Sequence, residues 1–327
     1  MANKKNSSTL KIAMLGASGV GKTSLLTVMY KELENTTAKT SLQLSTDEES
    51  QGILEQHYEK LKEFATTPGF DLTELPGIQG TEKPCDFYFD LSLEKKGILG
   101  EKVSLKLEFW DYPGGYTTQK EKRSEVQDHL KKCGAVVIAV NTMALMENEG
   151  KFHEKINQTQ DITKLFYDAY KEVKEPRLVI FAPVKCETYI VKKAEEIAQK
   201  IEKEYAPLLE FFNPMADKVA VAIAPVVTVG CVECGGSLEL DDGTAKFYLN
   251  KTSNEYNPKY ADQPIRYLLR FLIKRYFKAE QGGFWWNVTQ WLHQHKNIRE
   301  AMEKFAKGSK STGAFKILQG SHLLKLD

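Results

Sequence analysis

The chain has 327 residues, of which 42% are hydrophobic, and its 45 basic residues nearly balance its 44 acidic ones. This length and composition allow a large buried core, either as one elaborated α/β domain or as a domain with appendages. The net charge of +1 lacks the basic excess that phosphate backbones attract, so no nucleic-acid partner is expected.

No targeting signal is recognised in the sequence, and together with the cysteine usage this predicts a cytoplasmic protein. The N-terminus is polar, and no apolar run approaches the roughly 18 residues that span a bilayer, so we expect no membrane span. Five scattered cysteines favour reduced thiols over a disulfide framework. Cys231 and Cys234 have the spacing of half a zinc knuckle, but no second Cys or His pair follows nearby, so we interpret them as part of a turn.

The first recognisable element is a strand followed directly by a phosphate loop. The apolar run from Leu10 to Leu15 predicts the strand, Gly16 to Thr23 reads G-x-x-x-x-G-K-T, and residues 24–33 predict a helix. In this motif, backbone N–H groups and the helix N-terminus hold an anion, Lys22 reaches the outer phosphates and the Thr23 hydroxyl can ligate Mg²⁺. The predicted phosphate-binding residues are Ala17, Ser18, Gly19, Val20, Gly21, Lys22, Thr23 and Ser24.

An insert and a strand pair follow the first helix. A helical pattern that reaches Phe64 predicts a helical insert at about 35–80, which ends in a loop rich in Thr, Pro and Gly. Alternating residues at 85–93 and 103–110 predict an antiparallel hairpin. The hairpin ends at the sequence Asp111-Tyr112-Pro113-Gly114-Gly115.

The second half of the chain alternates between strands and helices. The strands are predicted at 135–141, 178–182 and 219–227, and the helices at 118–132, 155–173, 192–211 and 264–278. This alternation predicts a parallel sheet with helices on both faces. The fold expected is therefore an α/β, three-layer P-loop fold, with one antiparallel hairpin in a mostly parallel sheet. A domain at 1–278 would carry a hairpin insert at 231–250, and residues 279–327 would form a C-terminal helical extension.

The order of these motifs resembles that of the Ras-like GTPases, of the TRAFAC class, over about residues 9–278. The motifs are the phosphate loop, a loop containing Thr81, the antiparallel hairpin and Asp-x-x-Gly at Asp111 and Gly114. The resemblance implies that Asp111 holds Mg²⁺ through water, that the Gly114 N–H senses the γ-phosphate and that Thr81, or alternatively Thr73, closes on Mg²⁺. It implies catalytic roles for Lys22, Thr81 and Gly114, metal ligation by Thr23, Thr81 and Asp111, and GTP and GDP as substrate and product.

Base recognition departs from the family pattern. Val184-Lys185-Cys186-Glu187 stands where the family has Asn-Lys-x-Asp, and Thr228-Val229-Gly230 weakly matches the last base-contacting loop. The Glu187 carboxylate can accept both N–H groups on the Watson–Crick edge of guanine, and adenine offers no such pair. Val184 removes one polar contact, which typically weakens binding by only about 0.5 to 1.5 kcal/mol. Lys185, Glu187 and Val229 are therefore candidate contacts to a guanine nucleotide, and an ATP-hydrolysing protein is the alternative.

The residue directly after Asp-x-x-Gly, where the family often has a catalytic side chain, also departs from the family pattern. The family often has a water-orienting Gln there, but this chain has Gly115. Gln119 or a partner residue can take that role, turnover can be slow, or the protein can be a nucleotide-binding scaffold.

Partner proteins are expected at two places. A protein effector or activator would bind through the switch loops or through an aromatic C-terminal helix that runs from Phe284 to Phe305, although such a stripe most often packs against its own domain. The combination Trp-Asp-Tyr-Pro-Gly-Gly and Val-Lys-Cys-Glu-Thr-Tyr also looks like the double-GTPase proteins of bacterial conflict systems, which would imply a role in anti-phage defence.

Overall fold

A computed structural model describes residues 7–37, 41–67, 83–93, 104–241, 243, 245–277 and 286–326. Within these residues the strands, in chain order, are β1 (Ser7–Leu15), β2 (Leu42–Ser45), β3 (Cys85–Leu93), β4 (Ser104–Asp111), β5 (Ala135–Asn141), β6 (Arg177–Val184), β7 (Val219–Ile223), β8 (Val232–Glu239), β9 (Ala245–Lys251) and β10 (Lys316–Gln319). The helices are α1 (Lys22–Thr37), α2 (Glu48–Thr66), α3 (Lys120–Leu130), α4 (Thr142–Met146), α5 (His153–Asn157), α6 (Thr159–Ala169), α7 (Glu187–Lys192), α8 (Ala194–Glu204), α9 (Ala206–Phe212), α10 (Gln263–Phe277), α11 (Trp286–Gln294) and α12 (Lys296–Ala306).

Eight strands form one mixed sheet in the order β10-β7-β6-β5-β1-β4-β3-β2. The five central strands, from β4 to β7, are parallel, and β3 pairs antiparallel with β4 as the alternation predicts. The α/β class with a mostly parallel sheet is thus confirmed. Two antiparallel edge pairings, β2 on β3 and β10 on β7, were not predicted. Each of these edge strands has only four residues, which is too short for an alternating pattern to stand out.

The sheet separates two hydrophobic cores, because successive side chains of a strand point to opposite faces. In β1, Ile12 and Met14 pack with α1, α2, α10, α11 and α12. Ala13 and Leu15 pack on the other face, with α3, α6, α8 and α9. All residues of β5 and β6 are buried, as expected for central parallel strands covered on both sides.

Two helices predicted as continuous are interrupted. The helix predicted at 155–173 is divided between α5 and α6 at Gln158, whose φ of 52° is left-handed. The helix predicted at 192–211 is divided between α8 and α9 at Tyr205, and Pro207 lies in the first turn of α9. Proline has no N–H to donate to the preceding turn, so it favours a helix start at this point. The short helices α4 and α7 were not predicted.

Most apolar residues in the described part of the C-terminal aromatic stripe, which begins at Trp286, are buried against the rest of the chain; Phe284 and Trp285 lie outside the described residues. The core that contains α10 also includes residues of the two helices that follow it: Val288, Trp291 and Leu292 of α11, and Ile298 and Met302 of α12. Beyond them, β10 extends the main sheet along β7, so this segment contains a strand as well as helices. The division of the chain at 278 and 279 remains a proposal. Within the described ranges, no helix combines the length and the apolarity needed to cross a bilayer.

Substitution of Leu292 by Ala tests whether this stripe belongs to the core. Leu292 is fully buried, so we expect Leu292→Ala to lower the free energy of unfolding by roughly 2 to 5 kcal/mol. The measurement is the urea midpoint. Leu238→Ala is the control, since Leu238 is 50% exposed and surface changes usually stay within about 0.5 kcal/mol. Equal midpoints for the two variants would contradict burial of the stripe.

Candidate nucleotide-binding site

The phosphate loop connects the end of β1, at Leu15, to the start of α1, at Lys22. Gly16, Gly19 and Gly21 all have positive φ angles, which residues with a Cβ rarely adopt. At Gly16 an added Cβ would lie 2.9 Å from the carbonyl oxygen of Ala139. The glycines of the motif are therefore required by the backbone that wraps the N-terminus of α1.

Lys22 is buried inside this loop. Its Nζ donates hydrogen bonds to the carbonyl oxygens of Gly16, at 2.9 Å, and Ala17, at 3.3 Å. Burial lowers the pKa of Lys22, and the negative charge of Asp111 opposes that shift. A desolvated ammonium group at a helix N-terminus favours an anionic ligand.

Asp111 reaches the same place from the adjacent strand. β4 runs parallel to β1, with Met14 opposite Asp111, so the carboxyl ends of both strands meet beside the loop. The Thr23 hydroxyl donates to Asp111 Oδ2 at 3.0 Å, and Asp111 is fully buried. A hydroxyl and a carboxylate are hard oxygen ligands that suit Mg²⁺. Among the residues that the structure describes, no group of three or more His, Cys, Asp or Glu could hold a metal ion, but Mg²⁺ usually takes only one or two carboxylates and completes its shell with phosphates and water.

Gly114 packs directly on the phosphate loop. It begins a short 3-10 helix, Gly114–Thr117, and an added Cβ there would overlap the backbone of Ala17 and Ser18. Only glycine permits this approach.

The segment after Gly114 is anchored to neighbouring helices by contacts that the sequence did not predict. The Thr117 hydroxyl lies 2.8 Å from the Gly114 carbonyl oxygen and 3.0 Å from Gln158 Oε1, and it donates to one of them at a time. Arg123 donates to the Thr117 carbonyl at 3.1 Å and pairs with Asp161 of α6 at 2.9 Å. A movement of this segment would therefore be transmitted to α3 and α6.

Lys185 joins the loop after β6 to the phosphate loop. Its φ of 54° is left-handed, and its Nζ donates to the Gly19 carbonyl oxygen at 2.9 Å. Burial lowers the pKa of Lys185, and Glu187 opposes the shift. Val184, which replaces the polar residue of the family pattern, is fully buried. A Cβ placed on Gly21 would lie 3.6 Å from its methyl group, so Val184 packs beneath the phosphate loop.

Glu187 joins two loops that the sequence assigned separately to base recognition. Its Oε1 accepts hydrogen bonds from the backbone N–H groups of Thr228 and Val229, both at 3.1 Å, and lies 3.4 Å from the Thr228 hydroxyl. Within the described part of the chain, no hydrogen bond reaches Oε2. The structure thus brings Lys185, Glu187 and Val229 together at one end of the phosphate loop.

One cavity of about 600 Å³ connects the phosphate loop with these base-recognition candidates. It is lined by all the predicted residues from Ser18 to Ser24, by Gly114, and by Lys185, Glu187 and Val229. Ala17 and Asp111 lie behind the lining, where they bind Lys22 and Thr23.

Several lining residues were not predicted from the sequence. They are Leu61 and Phe64 of α2, Asn141, Met143, Ile156, Thr188, and seven residues near the hairpin insert: Val232, Cys234, Leu240, Ala245, Lys246, Phe247 and Leu249. The place of Asn141 in the cavity could have been predicted, because it is the last residue of a buried parallel strand and ligands of α/β sheets bind at the carboxyl ends of strands. The others are brought in by packing between inserts.

The remaining candidates are the two switch-loop threonines and Gln119. Thr81 and Thr73 lie outside the described residues, so their roles remain predictions. Gln119 is exposed and does not line the cavity; its amide nitrogen would lie 3.3 Å from a Cβ on Gly115.

Cys231 and Cys234 lie just before and within β8, with free thiols. Among the described residues, neither cysteine belongs to a group of three or more His, Cys, Asp or Glu side chains that could hold a metal ion. Burial is also the main cause of the raised pKa of each thiol.

Comparison with protein-family models and with curated proteins gave no match. Among solved structures, the chain is similar to the signal recognition particle receptor SRb-GTP/SRX complex from Chaetomium thermophilum, with 16% identity, a TM-score of 0.44, and coverage of 70% of this chain and 94% of that chain. It is also similar to the S. cerevisiae Ski7 GTPase-like domain bound to GTP, with 16% identity, a TM-score of 0.37, and coverage of 67% and 43%. At these values neither similarity by itself assigns a function.

The close approach of Gly114 is testable with a neighbouring glycine as control. Gly114→Ala forces its segment away from the phosphate loop, and we expect the nucleotide-free protein to lose about 1 to 3 kcal/mol of stability, as in other overpacked sites. Gly115→Ala meets only the movable Gln119 side chain and should change stability by less than about 0.5 kcal/mol. Thermal unfolding of both variants is the measurement, and an unchanged midpoint for Gly114→Ala would argue against the packing described.

Proposed function

We propose that this chain is a guanine-nucleotide-binding switch of the Ras-like type that hydrolyses GTP slowly. The observation that carries the proposal is the shared cavity, in which a complete phosphate loop faces the Lys185 and Glu187 loop. A phosphate loop alone fits many nucleotides. A carboxylate held at the other end of the same cavity favours a base with two adjacent N–H donors.

The phosphates would be bound by groups that already converge on the loop. The Lys22 ammonium would exchange its two carbonyl contacts for phosphate oxygens, and the N–H groups around residues 19–24 would supply further donors. Thr23 and Asp111 would hold Mg²⁺, which when bound neutralises charge on the outer phosphates. Gly114 would place its N–H beside the terminal phosphate, and Thr81 would close the site.

The base would be bound by the Glu187 carboxylate, with Oε1 retained by the Thr228 and Val229 N–H groups. This arrangement fixes the acid before the ligand arrives, which reduces the ordering cost of binding. The Lys185 stem would pack on the purine face while its ammonium remains on Gly19.

Hydrolysis would be slow because no Gln is among the described residues that line the cavity. In the reaction, water attacks the γ-phosphorus, the bond to the bridging oxygen breaks, and GDP and phosphate leave. Gly115 cannot orient that water, and Gln119 is exposed outside the cavity. A partner protein would supply the missing group. The same observation supports the second candidate, a GTP-dependent scaffold without significant turnover.

Placement in a bacterial conflict system, as a cytoplasmic switch beside an effector, is a further part of the proposal. Its support is the resemblance of the Trp110–Gly115 and Val184–Tyr189 segments to double-GTPase proteins. The described part of the C-terminal stripe is largely buried and offers little surface for an effector, so the segments near Gly114 and Thr81 are the preferred docking region.

Substitution of Lys22 tests nucleotide binding. We expect wild-type protein with Mg²⁺ to bind GTP more tightly than ATP, and Lys22→Ala to weaken GTP binding roughly 10- to 150-fold, the range for a lost charged hydrogen bond. Calorimetric titration and phosphate release are the measurements. Lys164→Ala, on the exposed side of α6, is the matched control. Absence of GTP binding by the wild type would refute the proposal, and binding without phosphate release would favour the scaffold.

Substitution of Glu187 tests base selectivity. Glu187→Gln keeps an oxygen for the Thr228 and Val229 N–H groups but removes the carboxylate. We therefore expect GTP affinity to fall roughly 10-fold or more while ATP affinity stays constant. Glu195→Gln, an exposed change on α8, is the control. Equal losses for GTP and ATP would mean that Glu187 supports the loops without reading the base.

A further inference from the structure

The β8–β9 hairpin is a separate two-stranded sheet that forms one wall of the cavity. Each strand contributes two residues to the lining of the cavity: Val232 and Cys234 of β8, and Phe247 and Leu249 of β9. Phe247 is only 8% exposed. Tyr248 does not line it. Most of this wall is apolar, so it contributes enclosure more than polar recognition.

The hairpin is attached at the base end of the cavity. The Cys234 N–H donates to the Thr188 hydroxyl at 2.7 Å, and Thr188 directly follows the candidate base acid, Glu187. Lys192 and Glu233 form an exposed ion pair at 3.7 Å beside this bond. The wall therefore begins where the base would lie.

A second attachment lies on the segment that precedes α5. Lys151 pairs with Glu239 at 2.5 Å, and Asn148 Nδ2 donates to the Ser237 hydroxyl at 3.0 Å. Beneath these surface contacts, the ring of Phe247 packs edge-on against Phe152, with centroids 6.5 Å apart.

A third attachment reaches across to α2. Lys251 donates to the Ala65 carbonyl oxygen at 3.1 Å and to the Thr67 carbonyl oxygen. Its ammonium also lies 5.6 Å from the ring centroid of Phe64, a residue that lines the cavity from the α2 side. The hairpin thus connects both sides of the cavity.

The geometry points to the β8–β9 hairpin as a roof over the nucleoside end of the site, with Phe247 as the residue that retains the base and ribose. This inference rests on the proposed function, since it needs a nucleotide in the cavity. The Lys151 pair is about half exposed, and exposed ion pairs contribute little, so the roof can open for exchange. The apolar contact of Phe247 with the nucleoside then governs how fast the nucleotide leaves.

The roof acts on the nucleoside and not on the phosphates. Loss of Phe247 should therefore accelerate dissociation of GDP and GTP by the same factor. Loss of a phosphate contact should instead affect the two nucleotides unequally, because they differ in the γ-phosphate.

The test measures dissociation of tritiated GDP, and of a tritiated non-hydrolysable GTP analogue, from the full-length protein in Mg²⁺ after a chase with unlabelled GDP. A tritium label avoids a fluorophore against the roof. We expect Phe247→Ala to raise both dissociation rates about tenfold, comparable to loss of a base-aromatic contact. Tyr248→Ala, on the adjacent position of the same strand, should leave both rates within twofold of wild type.

A second variant covers the case in which Phe247→Ala unfolds the hairpin. Lys251→Met removes the attachment to α2 but keeps an unbranched side chain, and we expect it to raise both rates severalfold without lowering the thermal midpoint of the nucleotide-free protein. Unchanged rates in a folded Phe247→Ala, or in Lys251→Met where Phe247→Ala does not fold, would overturn the roof and leave the proposed function intact. Failure of the wild type to retain any labelled nucleotide would overturn both.

Discussion

The parallel pairing of β1 with β4 and β5 is the constraint on which the rest of the site depends. Buried backbone groups must be hydrogen-bonded, and parallel strands satisfy that requirement while placing all their carboxyl ends at one edge of the sheet. Segments that are far apart in the chain consequently meet there: the phosphate loop, Asp111, Asn141, Lys185 and the Thr228 loop. The helices on both faces hold these strands in place, and α1 and α7 contribute Lys22, Thr23 and Glu187 directly.

Two lysines, the buried Lys22 and the half-buried Lys185, give this edge its electrostatic character. Lys22 and Lys185 both donate to carbonyl oxygens of the phosphate loop, and burial lowers the pKa of each. The negative charges of Asp111 and Glu187 oppose these shifts. The site is therefore arranged for an anion in advance, and the close packing of Gly114 on Ala17 and Ser18 couples the next segment to it.

The two inserts meet over the same cavity. α2 and the β8–β9 hairpin are far apart in the chain, yet Lys251 joins them through the Ala65 and Thr67 carbonyl groups. The inserts enclose a cavity that the parallel sheet alone would leave open. The exposed ion pairs that attach the hairpin are individually weak, which would allow the proposed nucleotide to exchange.

By itself the sequence determined the phosphate loop, the β3–β4 hairpin and the central strands, because glycine spacing, residue alternation and apolar runs are local signals. Together with the family resemblance, it also predicted that Lys22, Thr23 and Asp111 share one site, and the Thr23 hydroxyl donates to Asp111 in the structure. Tertiary structure alone decided that Val184 packs beneath Gly21 and that Glu187 binds the Thr228 and Val229 backbone. It also decided that Phe247 lines the cavity and that β10 completes the sheet. These contacts join residues that are distant in the chain, and short strands or single side chains carry no periodicity from which such neighbours can be inferred.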